Sequence, residues 1–329
     1  MLVLTAKDVR AALPMDQAIE AVKSAFAALS AGQAEVPLRS RLSIEPHNAM
    51  SLSMPAFVST AEGEALALKV VGLFPSNPAR ALAYIQAAVL VFEPHTGRLI
   101  GLLEGSSLTA IRTGAAGGAA IDLLSRPESQ VVAIFGAGAQ GRTQLEAACT
   151  VRRIRTVWIF DVSPQQAQNL VEEMAGHYPI PKDLRIASSP REAIAQADII
   201  CTGTTSSTPV FSDLELRPGT HISAVGSYTP DMQEIPAETV RRARVFVDSR
   251  AAALVESGDL IQPIRAGEMG EDHISGELGE LVLDRLEGRQ FDDQITLFKS
   301  VGVAVQDAMA ASIVMANAIR LNIGQVVNF

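Results

Sequence analysis

The chain has 329 residues, a formal net charge of −9, and 48% hydrophobic against 19% charged residues. Nearly half of the residues are apolar, which excludes global disorder, and the length predicts two domains. The negative balance, without a run of Lys or Arg, argues against nucleic acid or an anionic membrane surface as the main partner. The low charged fraction indicates that much of the surface is buried, for instance between subunits.

The beginning of the chain and the two cysteines predict a cytoplasmic protein. The first eight residues carry neither a basic segment nor a long apolar segment, so no signal peptide is expected. The two cysteines lie far apart in the sequence and outside any CxxC motif. We therefore expect them to be buried, reduced thiols. Residues 302–319 are long enough to span a bilayer, but Gln306 and Asp307 interrupt them, and we expect a buried Ala-rich helix instead.

The first third of the chain predicts two helices followed by strands. A capping box opens a short helix at Thr5, and a second helix runs from Pro14 to Gly32. Residues 36–92 contain apolar runs of strand length, and the turn at 94–97 links two strands as a hairpin. A further helix is expected to end near Leu124.

From residue 126 onward, short apolar strands alternate with helices. The predicted strands begin at Val131, Val157, Leu184, Ile199, Ile222, Val245 and Ile295. This alternation predicts a parallel, doubly wound sheet. Residues 302–322 form one long helix outside the alternation, so we assign that helix to the first domain. The chain then crosses between domains twice, and a cleft between them is the expected ligand site.

A glycine-rich turn follows the first strand of the alternating region. The strand 131–135 leads into Gly136-Ala137-Gly138-Ala139-Gln140-Gly141, and a helix follows. The first glycine permits a tight turn, the second lets the backbone approach a pyrophosphate, and the third lets helix and strand pack closely. Free N–H groups and the helix dipole then hold the anion. The motif in this context predicts a dinucleotide site; the alternative is a plain strand-to-helix turn.

An acidic residue ends the next strand. Asp161 lies twenty residues after Gly141, where a carboxylate accepts hydrogen bonds from an adenosine ribose and repels a 2′-phosphate. The sequence therefore favours NAD(H), with NADP(H) as the alternative. Asp161 has a second interpretation, because the same side chain could cap the helix that begins at Pro164.

Three cationic side chains lie in segments that are otherwise apolar or small. Lys69 interrupts the strand 65–73, and Arg112 is the only charge between Glu104 and Asp122, on a helix made of Ala, Gly, Ser and Thr. A buried ammonium needs an acid or a ligand, unless it reaches solvent. Together with Arg39, these groups would bind a carboxylate if they converge, since Arg offers a bidentate fork. Singly, each is equally compatible with a surface charge or a structural ion pair.

Several common catalytic motifs are missing from the sequence. It contains no HExxH, no clustered His/Cys set, no GxSxG and no Walker loop. We therefore expect no metal site and no protein nucleophile, which leaves the chemistry to the cofactor.

Several segments together resemble the ornithine cyclodeaminase and mu-crystallin family over the whole length of the chain. They are Pro37-Leu38-Arg39, Met54-Pro55, the Lys69 strand, Thr109-Ala110-Ile111-Arg112-Thr113-Gly114-Ala115-Ala116, the glycine-rich loop, and Phe298-Lys299-Ser300-Val301-Gly302. The resemblance implies an α/β protein in which a Rossmann dinucleotide-binding domain, residues 126–302, is inserted into an α+β domain. That α+β domain, residues 1–125 plus 303–329, would bind substrate and form a homodimer.

The resemblance also implies roles for individual residues. Arg39, Lys69 and Arg112 match positions that hold the substrate carboxylate, and Lys69 and Arg112 also match positions near the reacting nitrogen. The implied cofactor contacts are the loop residues Gly136, Gly138, Ala139, Gln140 and Gly141, with Asp161, Thr113, Ser300, Val301 and Gly302.

One loop departs from the cyclodeaminase pattern Gly-x-Asp-x-Pro-Gly-Lys. Here the stretch is Gly226-Ser227-Tyr228-Thr229-Pro230-Asp231-Met232, so Tyr228 stands where the catalytic aspartate is expected. This favours an NAD(P)H-dependent reductase of a cyclic imino acid, with Lys69, and less strongly Tyr228, as proton donor. The alternatives are ornithine cyclodeamination, alanine dehydrogenation, hydroxyproline dehydration, and a crystallin-like protein that binds dinucleotide and a carboxylated ligand.

Overall fold

The computed structural model describes residues 1–61, 63–80 and 82–328. Its strands are β1 (Leu2–Leu4), β2 (Ala34–Glu35), β3 (Ser40–Ile44), β4 (Ala49–Thr60), β5 (Gly63–Leu73), β6 (Ile85–Phe92), β7 (Leu99–Glu104), β8 (Val131–Phe135), β9 (Thr156–Phe160), β10 (Leu184–Ile186), β11 (Ile199–Thr202), β12 (His221–Ala224), β13 (Arg244–Val247), β14 (Ile274–Glu277), β15 (Thr296–Lys299) and β16 (Gln325–Val326). Its α-helices are α1 (Ala6–Ala12), α2 (Met15–Ser30), α3 (Gly105–Leu124), α4 (Ala139–Val151), α5 (Pro164–Met174), α6 (Pro190–Ile194), α7 (Ala237–Arg242), α8 (Arg250–Glu256), α9 (Gly258–Arg265), α10 (Leu278–Val282) and α11 (Ala304–Leu321).

The chain divides into two compact units. Unit 1 comprises Met1–Arg112 and Val303–Phe329, and unit 2 comprises Thr113–Gly302. Helix α3 therefore begins in unit 1 and ends in unit 2. The assignment of substrate binding to one domain and of the dinucleotide to the other remains a prediction.

Unit 1 is a sheet covered by helices. The strand order is β16-β1-β7-β6-β5-β4-β2, with β3 paired to β4, and the strands from β4 to β7 form an antiparallel meander. Helix α11 packs against β4, β5 and α2. Along β5 the side chains alternate in burial, because successive residues point to opposite faces of a strand. Lys69 falls on the covered face and Leu68 on the other, since Lys69 is buried and Leu68 only half-buried.

The local predictions for unit 1 are largely confirmed. Thr5 and Asp8 form the predicted capping box. Strands β6 and β7 form the predicted hairpin, joined by the turn at 94–97. Gly32, just beyond α2, has a positive φ of 70°. Pro14 is the N-cap of α2 and not its first helical residue.

Unit 2 has the parallel sheet that the alternating pattern predicts. The order is β10-β9-β8-β11-β12-β15-β13-β14, and every pairing is parallel. After β8, the chain adds β9 and β10 on one side of β8 in the sheet, and then returns to add β11 on the opposite side of β8. The order thus reverses between β8 and β11, which is where ligands bind in such sheets. Within the described residues, no helix is both long and apolar enough to cross a membrane.

Candidate functional site

The glycine-rich turn after β8 has a specific use for each of its three glycines. Gly136 has a φ of +93°, which side chains disfavour. A Cβ on Gly141 would lie 1.9 Å from the carbonyl oxygen of Gly136, whereas a Cβ on Gly138 would meet no atom within 4 Å. Gly141 is therefore required by packing and Gly136 by backbone conformation. The position that a Cβ on Gly138 would take is free of contacts, and this space is available to a ligand.

A cavity of about 370 Å³ lies beside this turn at the switch point of the sheet. Its lining includes the glycine-rich turn, the end of β9 and the loop after β11: Phe135, Gly136, Gly138, Phe160, Asp161, Val162, Gly203, Thr204, Thr205, Ser206 and Val210. Backbone N–H groups of a strand-to-helix turn and a nearby carboxylate are the groups that bind a dinucleotide. The residues present therefore fit part of such a cofactor.

Asp161 is fixed at the edge of this cavity. Its Oδ2 accepts a hydrogen bond from the Ala137 N–H at 2.7 Å, and its Oδ1 accepts one from the Ser163 N–H at 2.8 Å. The second bond lies just ahead of α5, but the N-cap of that helix is Ser163. Asp161 is thus not the helix cap itself, and its carboxylate is held next to the predicted ribose position.

The segment after β15 is held by an acid that the sequence reasoning missed. Asp248 Oδ2 accepts hydrogen bonds from the Ser300 hydroxyl at 2.6 Å, the Val301 N–H at 3.0 Å and the Gly302 N–H at 2.7 Å. Gly302 has a φ of +80°, which explains the glycine. The predicted cofactor segment 300–302 is therefore a preorganised turn. Asp248 directly follows the short strand β13, and this position was its only signal in the sequence.

The loop that carries Tyr228 is anchored along most of its length. The Gly226 N–H donates to Glu234 at 2.8 Å, and the Ser227 hydroxyl donates to the Met232 carbonyl at 2.9 Å. A Cβ on Gly258, the first residue of α9, would lie 1.8 Å from that same carbonyl oxygen. Tyr228 is half-buried on this loop.

A buried ionic cluster underlies the same loop. Lys299 Nζ and Asp259 Oδ2 are 3.1 Å apart, and both side chains are fully buried. Their atoms are not aligned for a hydrogen bond, so the contact is an ion pair. Asp259 Oδ1 accepts the Glu234 and Ile235 N–H groups. Burial raises the pKa of Glu234, while the nearby Lys299 opposes that rise.

Replacing Asp259 is expected to lower the stability of unit 2. Asp259→Ala leaves Lys299 buried without its counter-ion and two N–H groups without an acceptor, which costs about 3–5 kcal/mol of unfolding free energy. Urea unfolding measures this loss. The matched control is Asp183→Ala, whose partner Arg185 is half-exposed, and it should lose far less. Equal losses for the two variants would contradict a cluster that stabilises the fold.

In unit 1, Lys69 and Arg112 meet at an acid that the sequence reasoning did not assign to the site. Lys69 Nζ lies 2.7 Å from Asp307 Oδ2, and Arg112 Nε lies 3.0 Å from Asp307 Oδ1. All three side chains are buried. The structure thus brings Lys69 and Arg112 together and shows that each is also part of an internal ion pair.

The protonation of Lys69 reflects this setting. Burial, the largest cause, and the neighbouring Arg112 lower the pKa of Lys69 to about 7, while Asp307 opposes the change. Arg39 also lowers the pKa of Lys69, which places the third predicted cation in the same electrostatic neighbourhood. Lys69 can therefore gain and lose a proton near neutral pH.

Gln306 fixes the other side of Arg112. Its Oε1 accepts a hydrogen bond from Arg112 Nη1 at 3.0 Å and from the Val303 N–H at 3.0 Å. Its Nε2 is buried and has no hydrogen-bond partner among the described residues, and neither does Arg112 Nη2. Both groups are donors available to a carboxylate.

The sequence carried a signal for Gln306 and Asp307. They are the polar interruptions of an apolar helix, and a buried charge needs a partner just as Lys69 does. Thr113, the predicted cofactor contact next to Arg112, lies buried at the start of unit 2. The glycine that follows it, Gly114, is packed against Thr143 of α4, where a Cβ would come within 2.6 Å.

A wider open groove of about 800 Å³ lies elsewhere in unit 2. It is lined mainly by residues 284–291, which precede β15 and so lie toward the amino ends of the strands. It contains none of the predicted site residues. We place the site at the smaller cavity because ligands of such sheets bind at the carboxyl ends. Among the described residues, no group of three or more His, Cys, Asp or Glu side chains could hold a metal ion.

The parallel sheet and its glycine-rich first turn define a Rossmann-type dinucleotide-binding protein. The profile described as "Ornithine cyclodeaminase/mu-crystallin family" matches residues 1–321, and the chain belongs to this family.

Relatives match this chain over its whole length. A Δ1-pyrroline-2-carboxylate reductase of Bacillus cereus is 38% identical over 331 aligned residues, covering 100% of both chains. The structure of the Thermococcus litoralis Δ1-pyrroline-2-carboxylate reductase in complex with NADH and L-proline matches with a TM-score of 0.95 and 41% identity, over 99% of this chain and 100% of that one. An archaeal alanine dehydrogenase dimer with bound NAD matches with a TM-score of 0.92 and 31% identity, over 100% and 99%.

Proposed function

We propose that this protein reduces a cyclic imino acid to the cyclic amino acid with NAD(P)H. The substrate is of the Δ1-pyrroline-2-carboxylate or Δ1-piperideine-2-carboxylate type. The observation that carries the proposal is the full-length match, with a TM-score of 0.95, to a reductase whose structure holds NADH and L-proline. The cationic pair of unit 1 and the cavity of unit 2 supply the two kinds of binding group that this reaction needs.

The donors of unit 1 suit a small carboxylate. Arg112 Nη2 and Gln306 Nε2 have no partners among the described residues, and the Lys69 ammonium lies beside them in the network around Asp307. A substrate with one carboxylate would supply the acceptor that these donors lack. Arg39 adds positive charge to the same region.

The reaction also needs a proton. The glycine-rich turn, Asp161 and the 300–302 segment would hold NADH, which would supply the hydride for the imine carbon. The imine nitrogen takes up one proton as the C=N bond becomes a C–N single bond. Lys69 can donate that proton because its pKa of about 7 leaves it partly protonated at neutral pH. Tyr228 is the weaker candidate donor.

Tyr228 argues against cyclodeamination. With Tyr228 in place of the aspartate, the general base that would activate a side-chain amine is missing from the position where the cyclodeaminase pattern has it. Alanine dehydrogenation is the second candidate, because an alanine dehydrogenase with bound NAD matches over the whole chain. In a crystallin-like binding protein, the dinucleotide would bind and no substrate would turn over.

A substrate panel distinguishes these functions. We expect NADH oxidation with one or both cyclic imines, and much slower oxidation with pyruvate plus ammonia. Ammonia release from ornithine with catalytic NAD⁺ would select the cyclodeaminase instead. No turnover of either imine by the wild-type protein would contradict the reductase.

Cofactor preference is expected to depend on Asp161. Asp161→Ser removes the negative charge that repels a 2′-phosphate, so the kcat/KM ratio for NADH over NADPH should fall about 10-fold or more. The control is Glu172→Ala, an exposed acid on α5. An unchanged ratio in Asp161→Ser would show that Asp161 does not determine the preference between NADH and NADPH.

We further propose that the protein forms a homodimer through the open face of the unit 1 sheet. Leu68, Leu90 and Leu102 lie side by side on β5, β6 and β7, and all are half-exposed. A contiguous apolar face of this kind is typical of an interface. The related alanine dehydrogenase is a dimer. The cytoplasmic location stays a prediction.

Sedimentation velocity tests the dimer. Leu68→Glu should yield monomers, because it buries an unpaired charge at the centre of the face. Leu214→Glu, at a side chain that is 94% exposed in unit 2, should leave the wild-type distribution unchanged. A monomeric wild type, or a dimeric Leu68→Glu, would refute this interface.

A further inference from the structure

Asp307 is an acid near three cations that come from different parts of unit 1. Lys69 lies on β5, Arg112 on α3 and Asp307 on α11, and Arg39 precedes β3. The groups that act on Lys69 are the cations Arg112 and Arg39 and the anion Asp307. Two like charges therefore disfavour a charged Lys69 in this buried place, and one carboxylate supports it.

The carboxylate of Asp307 divides its two oxygens between the two buried cations. Oδ1 accepts a hydrogen bond from Arg112 Nε, and Oδ2 forms an ion pair with the Lys69 ammonium. With Gln306 on Nη1, Arg112 is held on two sides, while Nη2 has no partner among the described residues. This arrangement orients the guanidinium without using the group that remains for a substrate carboxylate.

We propose that Asp307 is a positioning residue for the reduction: it holds Arg112 and Lys69 in one orientation and sustains the positive charge of Lys69. This inference rests on the proposed function, because it assigns the charge of Lys69 to carboxylate binding and proton donation. A purely structural ion pair makes a different prediction. It would change stability and leave the pH dependence of catalysis alone.

The pH dependence of kcat/KM tests the inference. Asp307→Asn keeps the shape but removes the charge, so the pKa of Lys69 should fall further below about 7, by about one to three units. The protonated form is then lost at lower pH. The ratio of wild-type to variant kcat/KM, in which the titration of the substrate cancels, should rise about 10-fold or more from about pH 5 to about pH 8.

Two variants serve as matched controls. Asp307→Glu keeps the charge and should give a ratio that is flat with pH. Val314→Ala creates a cavity at a buried position two turns along the same helix and should also give a flat ratio. A flat ratio for Asp307→Asn, with an active wild type, overturns the inference and leaves the proposed function standing.

A stability measurement tests one part of the inference, that Asp307 sustains the charge of Lys69, even if the wild type turns over neither imine. The ordinary pKa of Lys69 is 10.5, so between pH 7 and 10.5 the unfolded wild type binds more protons and the free energy of unfolding rises with pH. In Asp307→Asn this rise should begin at lower pH. Its stability deficit against wild type should therefore shrink between about pH 5 and 7. A deficit that stays constant over that range, as expected for Val314→Ala, overturns the inference.

Discussion

Lys69→Ala is expected to lower kcat/KM for the cyclic imine by about 10²- to 10⁴-fold, the range for loss of a positioned proton donor. The variant loses both the donor of the proton and one cation of the carboxylate site. The wild-type kcat/KM should fall as pH rises through about 7, because the protonated form of Lys69 is the active one. The variant should lack the part of this pH dependence that Lys69 contributes.

Steady-state NADH oxidation over a range of pH measures both effects. Val71→Ala is the matched control, since Val71 is buried two residues along the same face of β5. It should lose stability and keep its activity. NADH binding, followed by fluorescence, should be unchanged in Lys69→Ala because the glycine-rich turn belongs to unit 2. An active Lys69→Ala would exclude Lys69 as the proton donor.

Gly138→Ala and Gly141→Ala are expected to fail in different ways. A Cβ at position 138 meets no atom within 4 Å, so that variant should fold with wild-type stability. It should bind NADH about 10- to 100-fold more weakly, or by about 1.4–2.8 kcal/mol, because the methyl group occupies the space for the pyrophosphate. A Cβ at position 141 would lie 1.9 Å from the Gly136 carbonyl oxygen. That variant should lose about 1–3 kcal/mol of stability through overpacking.

Thermal unfolding and NADH titration separate the two effects, with each variant serving as control for the other. The decisive case is Gly138→Ala without NADH: normal stability together with weak binding assigns Gly138 to the ligand. Wild-type NADH affinity in Gly138→Ala would show that the pyrophosphate does not approach this turn.

The fold was largely predictable because its signals are local. Short apolar strands between helices leave few arrangements other than a parallel sheet, and β8, β9, β11 and β12 lie within two residues of their predicted positions. Helix boundaries followed from caps and glycines, as at Thr5 and Gly32. The order of the strands after β12 was not predictable, because it depends on contacts between residues far apart in sequence.

The site was predictable only in part. Lys69 and Arg112 were conspicuous as charges in apolar segments, and the glycine-rich turn has a defined spacing. Asp307 and Asp248 were missed, although the same rule about buried charges applies to Asp307. Sequence spacing cannot show which acid a buried cation meets, since Lys69 and Asp307 are far apart along the chain and meet only through packing of α11 on β5.

Transfer of deuterium from NADH that carries deuterium at both C4 positions shows whether the protein reduces a cyclic imine by hydride transfer. The protein is mixed with this cofactor and Δ1-pyrroline-2-carboxylate or Δ1-piperideine-2-carboxylate, and the amino acid product is examined by mass spectrometry and NMR. We expect proline or pipecolate with one deuterium at the α carbon for each NADH consumed. Unlabelled product, or no product from either imine, would contradict it.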